Sequence, residues 1–287
     1  SAFQEIIVTR RVHPGGVIDT RLFLDGDLQL SSVDSHRYHE SLAHPVISLT
    51  SARRVLVLGG GDCVAVREVL RHPSVEHVTL VELDPEVTAM AEEVPELRAL
   101  NEGACSDPRV EVVNADAFTW VRAHARSDDR RYDAVIADFP DPDTPALGRL
   151  YSVELYGLVR QVLAPGGALV VQCGSPFFAP EAFWTCEATL EAAGWAPTPY
   201  HVDVPSFGDW GFHLAQPAPP DRSGAPLVGP VPVVDPRLEV RFLTADVLRA
   251  AQVFPPDVAR ERVTVRPSTI LDPSIVEAAQ GAWIGYS

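Results

Sequence analysis

From Arg53 onward, short apolar runs alternate with amphipathic stretches, a pattern that leaves few folds open other than a parallel sheet flanked by helices. The spacing predicts strands over 53–58, 78–83, 110–113, 133–137 and 168–172. Helices are expected between them over 64–71, 86–93, 118–125 and 153–163, with a further one over 182–193. The strand-like segments 200–204 and 212–215 follow without a helix between them, so they close the sheet as an antiparallel pair.

The first 48 residues have a different grammar. Segments 5–11, 17–24 and 28–32 read as strands, the last two joined at Asp25-Gly26-Asp27, which predicts a small antiparallel β-hairpin domain over 1–48. The alternating region, 49–220, is expected to be a Rossmann-like nucleotide-binding domain whose sheet resembles the seven-stranded methyltransferase type. Residues 216–236, rich in proline and glycine, read as a connection to a C-terminal extension over 221–287. Its one expected helix, 245–252, is capped by Thr244, and the tail reads as an appendage.

The chain carries 39 acidic against 23 basic residues, a formal charge of −16, which opposes binding to a phosphate backbone and attracts cations. Cys63, Cys105, Cys173 and Cys186 show no Cys-x-x-Cys spacing, so neither zinc nor a disulfide framework is indicated and a reducing cytoplasm is expected. No run of about 18 apolar residues predicts a membrane span, and the start at Ser1 suggests a piece of a longer protein.

The strand at 53–58 runs into Gly59-Gly60-Gly61-Asp62, whose glycines allow a tight turn and close approach of a ligand to the backbone. Alone, such a loop also serves simply to pack a helix on a strand. Glu82 adds to it, because it ends the second strand 20 residues after Asp62, where a carboxylate accepts hydrogen bonds from ribose hydroxyls. Asp116 follows the third strand at the same sheet edge and is the candidate reader of an adenine amino group, a role compatible with capping the next helix. Because Asp62 would repel a pyrophosphate, adenosylmethionine or a derivative fits better than NAD.

Asp138-Phe139-Pro140-Asp141-Pro142-Asp143 ends the fourth strand, and three acids in six residues are costly to crowd together without a cation. A solvated, proline-stiffened loop is the plain alternative to a polyamine site. The set of motifs resembles the polyamine aminopropyltransferase (spermidine synthase) family, bacterial type, over residues 3–287. The resemblance rests on Leu24-Asp25-Gly26 with Gln29, Tyr38-His39-Glu40, the glycine loop with Asp62, and Val81-Glu82-Leu83-Asp84. It continues through Asp116-Ala117-Phe118, Asp138 with Asp141, Leu150-Tyr151-Ser152, and Val204-Pro205-Ser206-Phe207-Gly208. The Ser175-Pro176 pair and the Trp210-Gly211-Phe212 ending are most similar to bacterial members, some of which carry an N-terminal membrane domain.

By that resemblance Gln29, His39, Gly59, Gly61, Asp62, Glu82, Asp116 and Ala117 hold decarboxylated S-adenosylmethionine as co-substrate, with no permanent cofactor and no metal. Asp138 is the expected proton acceptor, Tyr38 orients the attacking amine, Asp141 binds it, and Phe207 stands where many relatives have a tyrosine. The implied reaction moves the propylamine group to a diamine such as putrescine, giving spermidine and methylthioadenosine, in a homodimer. The family usually has glycine in place of Cys63 and glutamate in place of Ser35. Two other readings stand beside this one: a methyltransferase using intact S-adenosylmethionine on the same fold, and a catalytically silent binding domain. Asp62 weighs against the first, since it penalises the donor's extra carboxylate, and Tyr38, Asp138 and Asp141 weigh against the second.

Overall fold

The computed structural model describes residues 1–126, 131–219, 235 and 237–284. Strands β1 (Ile6–Val12), β2 (Ile18–Leu24) and β3 (Asp27–Ser31) form the expected antiparallel sheet in the order β1-β2-β3. Between β2 and β3, Asp25 and Gly26 both adopt left-handed backbone angles, which suits the twist of a tight hairpin. Leu22 and Leu30 on this sheet are buried against Val64 and Leu97 of the larger domain.

Residues 35–50, which the sequence places in the β-hairpin domain, are instead a helix, α1 (Ser35–Thr50). It is buried on nearly every side, so it shows no polar stripe to mark it, and Pro45 lies in its interior. Proline has no N–H to offer the carbonyl one turn back. That carbonyl, Ser41 O, accepts from the buried Tyr200 hydroxyl at 2.8 Å instead. Glu40, fully buried on the same helix, accepts the backbone N–H groups of Arg241, Phe242 and Leu243 at 2.7–2.9 Å.

The alternating region keeps the expected order, with two short helices added: β4 (Arg54–Gly59), α2 (Val64–Leu70), β5 (His77–Glu82), α3 (Pro85–Glu93) and the first added helix, α4 (Pro95–Leu100). It continues through β6 (Val110–Asn114), α5 (Ala117–His124), β7 (Tyr132–Asp138), the second added helix α6 (Pro145–Gly148), α7 (Val153–Val162), β8 (Leu163–Gln172) and α8 (Pro180–Ala192). The hairpin β9 (Trp195–Val204) and β10 (Gly208–Pro217) completes a seven-stranded sheet in the order β6-β5-β4-β7-β8-β10-β9. The five strands from β6 to β8 are parallel, and β10 runs antiparallel to both β8 and β9. Leu56 and Leu58 of β4 enter one core and Val55 and Val57 the other, which explains why these strands read as unbroken apolar runs. The strand order reverses between β4 and β7, and there the register pairs Gly59 with Asp138. A crevice at such a reversal is where open α/β sheets bind ligands.

Two expectations are corrected. The cysteines are paired, Cys63 with Cys105 and Cys173 with Cys186, at Cα separations of 5.6 and 6.4 Å. Spacing could not show this, because the partners lie 42 and 13 residues apart on different elements that only the tertiary fold brings together. The tail is not an appendage either: α9 (Ala245–Ala250) follows the segment held by Glu40, and α10 (Ser274–Ile284) buries Ile275, Val276 and Ala279 in the core beside α8. Thr244 caps α9 as expected, accepting from Val247 N. Most of the proline- and glycine-rich connection, residues 220–234 and 236, lies outside the described residues. Among the described residues no helix is long and apolar enough to cross a membrane.

Candidate active site

The glycine loop is shaped by what it touches. Gly59 and Gly60 take left-handed angles, and a Cβ on Gly60 would meet Asp138 Oδ2 at 2.8 Å. A Cβ on Gly61 would meet Glu82 Cγ at 2.6 Å. Only bare backbone lets the loop lie between these two carboxylates. Glu82 accepts the N–H groups of Gly61 at 3.1 Å and Asp84 at 2.9 Å, and burial nevertheless pushes its carboxyl up.

Asp62 caps the start of α2 by accepting Val64 N at 2.8 Å, and its own carbonyl accepts from Asn101 Nδ2. His39 Nδ1 lies 2.7 Å from Ser35 O, so Nδ1 carries the hydrogen, a carbonyl being able only to accept. Burial pushes the His39 ring down while the Asp62 charge opposes it. Asp116 is the N-cap of α5, accepting Thr119 N at 2.9 Å, and it pairs with Arg149. Burial pushes Asp116 up, but the Thr119 hydrogen bonds and the Arg149 charge together hold it below its usual range. Ala117 opens α5 beside it, and Gln29 sits on β3 with its amide donating to Asp27 O at 3.4 Å.

At the end of β7, the Tyr38 hydroxyl donates to Asp138 Oδ1 at 2.5 Å. Loss of water pushes the Asp138 carboxyl up to about 7, with the Asp62 and Glu82 charges adding to the effect and Tyr38 opposing it. Asp141 rises to about 6, first through burial, with Asp143 and Asp27 repelling it and Gln172 pulling the other way. Phe207, in the β9–β10 turn, meets the Tyr38 ring edge-on at 6.1 Å between centroids. Asp34 fixes that turn by accepting Ser206 N and Ser206 Oγ at 2.7 and 2.9 Å.

Three contributors were given no site role by the sequence, although Tyr151 lies in one of its motifs. Gln172 ends the apolar strand β8, and its amide donates to Tyr151 Oη at 2.6 Å, to Phe139 O, and to Asp141 Oδ1 at 3.4 Å. Tyr151, buried, donates to Phe139 O and Pro140 O at 3.2 and 3.0 Å, so the two residues pin the acidic loop from below. Asp27 lies close enough to Asp141 to raise its carboxyl. A polar residue closing an otherwise apolar strand was the available signal for Gln172; Asp27 read only as turn chemistry. The structure thus gathers Tyr38, Asp62, Glu82 and Asp138 around the glycine loop, with Asp141 near enough to act on the Tyr38 hydroxyl, His39 facing Asp62 and Phe207 on the Tyr38 ring. Gln29 and Asp116 satisfy their side chains outside that cluster.

Residues 35–220 match the spermine/spermidine synthase domain. The chain belongs to that family. It is 54% identical over 287 residues to polyamine aminopropyltransferase 1 of Streptomyces coelicolor, covering 99% of this chain and 51% of that protein. The polyamine aminopropyltransferase of Mycobacterium tuberculosis is 50% identical over 288 residues, covering 99% and 51%. The chain therefore spans about half the length of the curated relatives it matches. Among solved structures, a spermidine synthase in complex with the transition-state analogue AdoDATO is similar at a TM-score of 0.74 and 26% identity, over 90% of this chain and 84% of that one. Thermotoga maritima spermidine synthase gives 0.73 and 25%, over 91% and 84%. Cys63, where the family usually has glycine, takes a left-handed φ of 63° and is tied to Cys105.

Proposed function

We propose that this spermidine synthase family chain transfers the propylamine group of decarboxylated S-adenosylmethionine to a diamine. The observation that carries the reading is the pair of carboxyls, Asp138 and Asp141, held with raised proton affinity beside the glycine loop and Glu82. Buried acids with no counter-charge are waiting for a cation, and a dication relieves both at once. Glu82 holds the donor's ribose, Asp116 and Ala117 its adenine, and Asp62 with Gln29 and His39 its propylamine end.

Tyr38 orients the attacking nitrogen and Asp138 accepts its proton. An alkylammonium has a pKa of roughly 10.4, about 3.4 units above Asp138, so this proton transfer costs roughly 4–5 kcal/mol rather than being prohibitive. The freed lone pair attacks the carbon beside the sulfonium in line; the new C–N bond forms as the C–S bond breaks, and the sulfonium leaves as a neutral thioether. The proton on Asp138 then passes to water. Burial and the Asp138 charge push the Tyr38 hydroxyl well above its ordinary range, so it stays a donor throughout.

Calorimetric titration with the two donors tests the reading. Decarboxylated S-adenosylmethionine should bind at least tenfold tighter than the intact form, because Asp62 repels the extra carboxylate; equal or reversed affinities would favour methyl transfer. The reading includes a cytoplasmic homodimer. The exposed Ile7, Val12 and Ile18 of the N-terminal sheet supply apolar surface for association, which light scattering would detect as a doubled mass.

A further inference from the structure

Behind the amine loop, Cys173, Cys186 and His213 converge from three elements: the residue after β8, the middle of α8, and β10. Their ligating atoms all lie within 4.8 Å of one another, and all three residues are buried. His213 has no exposed surface, and neither of its ring nitrogens has a hydrogen-bond partner. Leaving such a buried group unpaired is destabilising, and a bonded ligand would remove that cost. Aromatic rings close the site, with Phe183 4.4 Å from the His213 ring.

We propose that, in its dithiol form, this triad binds one thiophilic d10 cation of the zinc class through two thiolates and one imidazole. Two thiolates and a neutral imidazole are soft and borderline donors suited to such an ion. Ligand separations of roughly 3.5–3.9 Å follow from metal–ligand bonds of about 2.0–2.3 Å, within reach of these side chains by rotation about their own bonds. With both ring nitrogens buried and unpartnered, a neutral His213 imidazole has a lone pair free for the metal. The Tyr156 hydroxyl, 3.5 Å from Cys186 Sγ, donates to the thiolate. Opening the Cys173–Cys186 disulfide takes two electrons from an added phosphine, which leaves as its oxide, and two protons from the water that supplies that oxygen; metal binding then releases both thiol protons. The bound ion would fasten β8, α8 and β10 directly behind Gln172, which holds the amine loop. No short-range motif shows the site, because its members come from positions 173, 186 and 213.

The test uses the full chain, phosphine-reduced and kept under nitrogen, titrated with Co2+ and then Zn2+. One equivalent of cobalt should give intense thiolate-to-cobalt charge transfer, which Zn2+ abolishes. Cys186→Ala and His213→Phe, checked for fold by circular dichroism, should each weaken cobalt binding at least tenfold, whereas Cys105→Ser should keep it. Absence of the charge-transfer band in the wild-type protein would overturn the proposal even if both variants failed to fold. A Cys173–Cys186 disulfide that resists reduction in the folded chain, or a band lost in Cys105→Ser and retained in Cys186→Ala, would overturn it equally.

Discussion

Asp138 shows how one residue sets function against stability. Its carboxyl sits at about 7 because burial and the Asp62 and Glu82 charges disfavour ionisation, which suits the proposed role of taking a proton from a bound amine near neutral pH. Asp138→Asn keeps the shape and the acceptor for Tyr38 but cannot take the proton. Turnover at neutral pH should fall about 100- to 10,000-fold with donor binding nearly unchanged, and alkaline pH should partly restore it as more amine arrives deprotonated. A steady-state rate above a tenth of wild type at pH 7 would remove Asp138 from the role of base. The same variant should behave oppositely in unfolding. A carboxyl raised from 3.8 in the unfolded chain to about 7 in the fold binds more protons when folded, so its contribution is favourable below pH 4 and is lost as pH rises to 7. Without ligand, Asp138→Asn should therefore be more stable than wild type at pH 8, by on the order of 4 kcal/mol, with the difference shrinking to under about 1 kcal/mol at pH 4. Denaturant titrations at the two pH values compare them; a variant less stable at pH 8 would mean that Asp138 is not strained by its surroundings.

At the scale of elements, the parallel strands and their helices were legible because each β-segment is apolar on both faces and each helix has a polar side. The glycine loop, Glu82 and Asp138 were legible for a related reason: all sit at the ends of such strands. Helix α1 was not. Its buried Glu40, Ser41 and His44 look like surface residues in sequence, and Pro45 looks like a stop, yet tertiary partners satisfy Glu40, His44 and the carbonyl that Pro45 leaves open, and the Ser41 hydroxyl donates to Arg37 O one turn back. Helix α10 was hidden differently, its run Ser274 to Ile284 being broken by Gly281. The Pro45 compensation can be measured. Tyr200→Phe leaves Ser41 O buried without a donor and should cost about 1–3 kcal/mol. In a Pro45→Ala background the restored backbone N–H can serve that carbonyl, and the cost of Tyr200→Phe should fall by at least half. Equal costs in both backgrounds by denaturant unfolding would show that the hydroxyl and the missing N–H are independent.

For the whole molecule, helix α1 is the keystone between substrate site and C-terminal extension: Tyr38 faces Asp138, and Glu40, two residues on, anchors 241–243. Glu40→Gln places an amide against three N–H donors and should cost about 2–3 kcal/mol. Limited proteolysis should then cut the extension between residues 237 and 260 several-fold faster; an unchanged cleavage rate would mean that the extension is held by its apolar contacts alone. What the molecule as a whole is for rests on the group it moves. Mass spectrometry of the products, with both donors offered together with a panel of amines, tests that most directly. The account predicts an acceptor heavier by one propylamine unit, with methylthioadenosine formed only when a diamine is present. A methylated product with adenosylhomocysteine, and no aminopropylated amine, would contradict it.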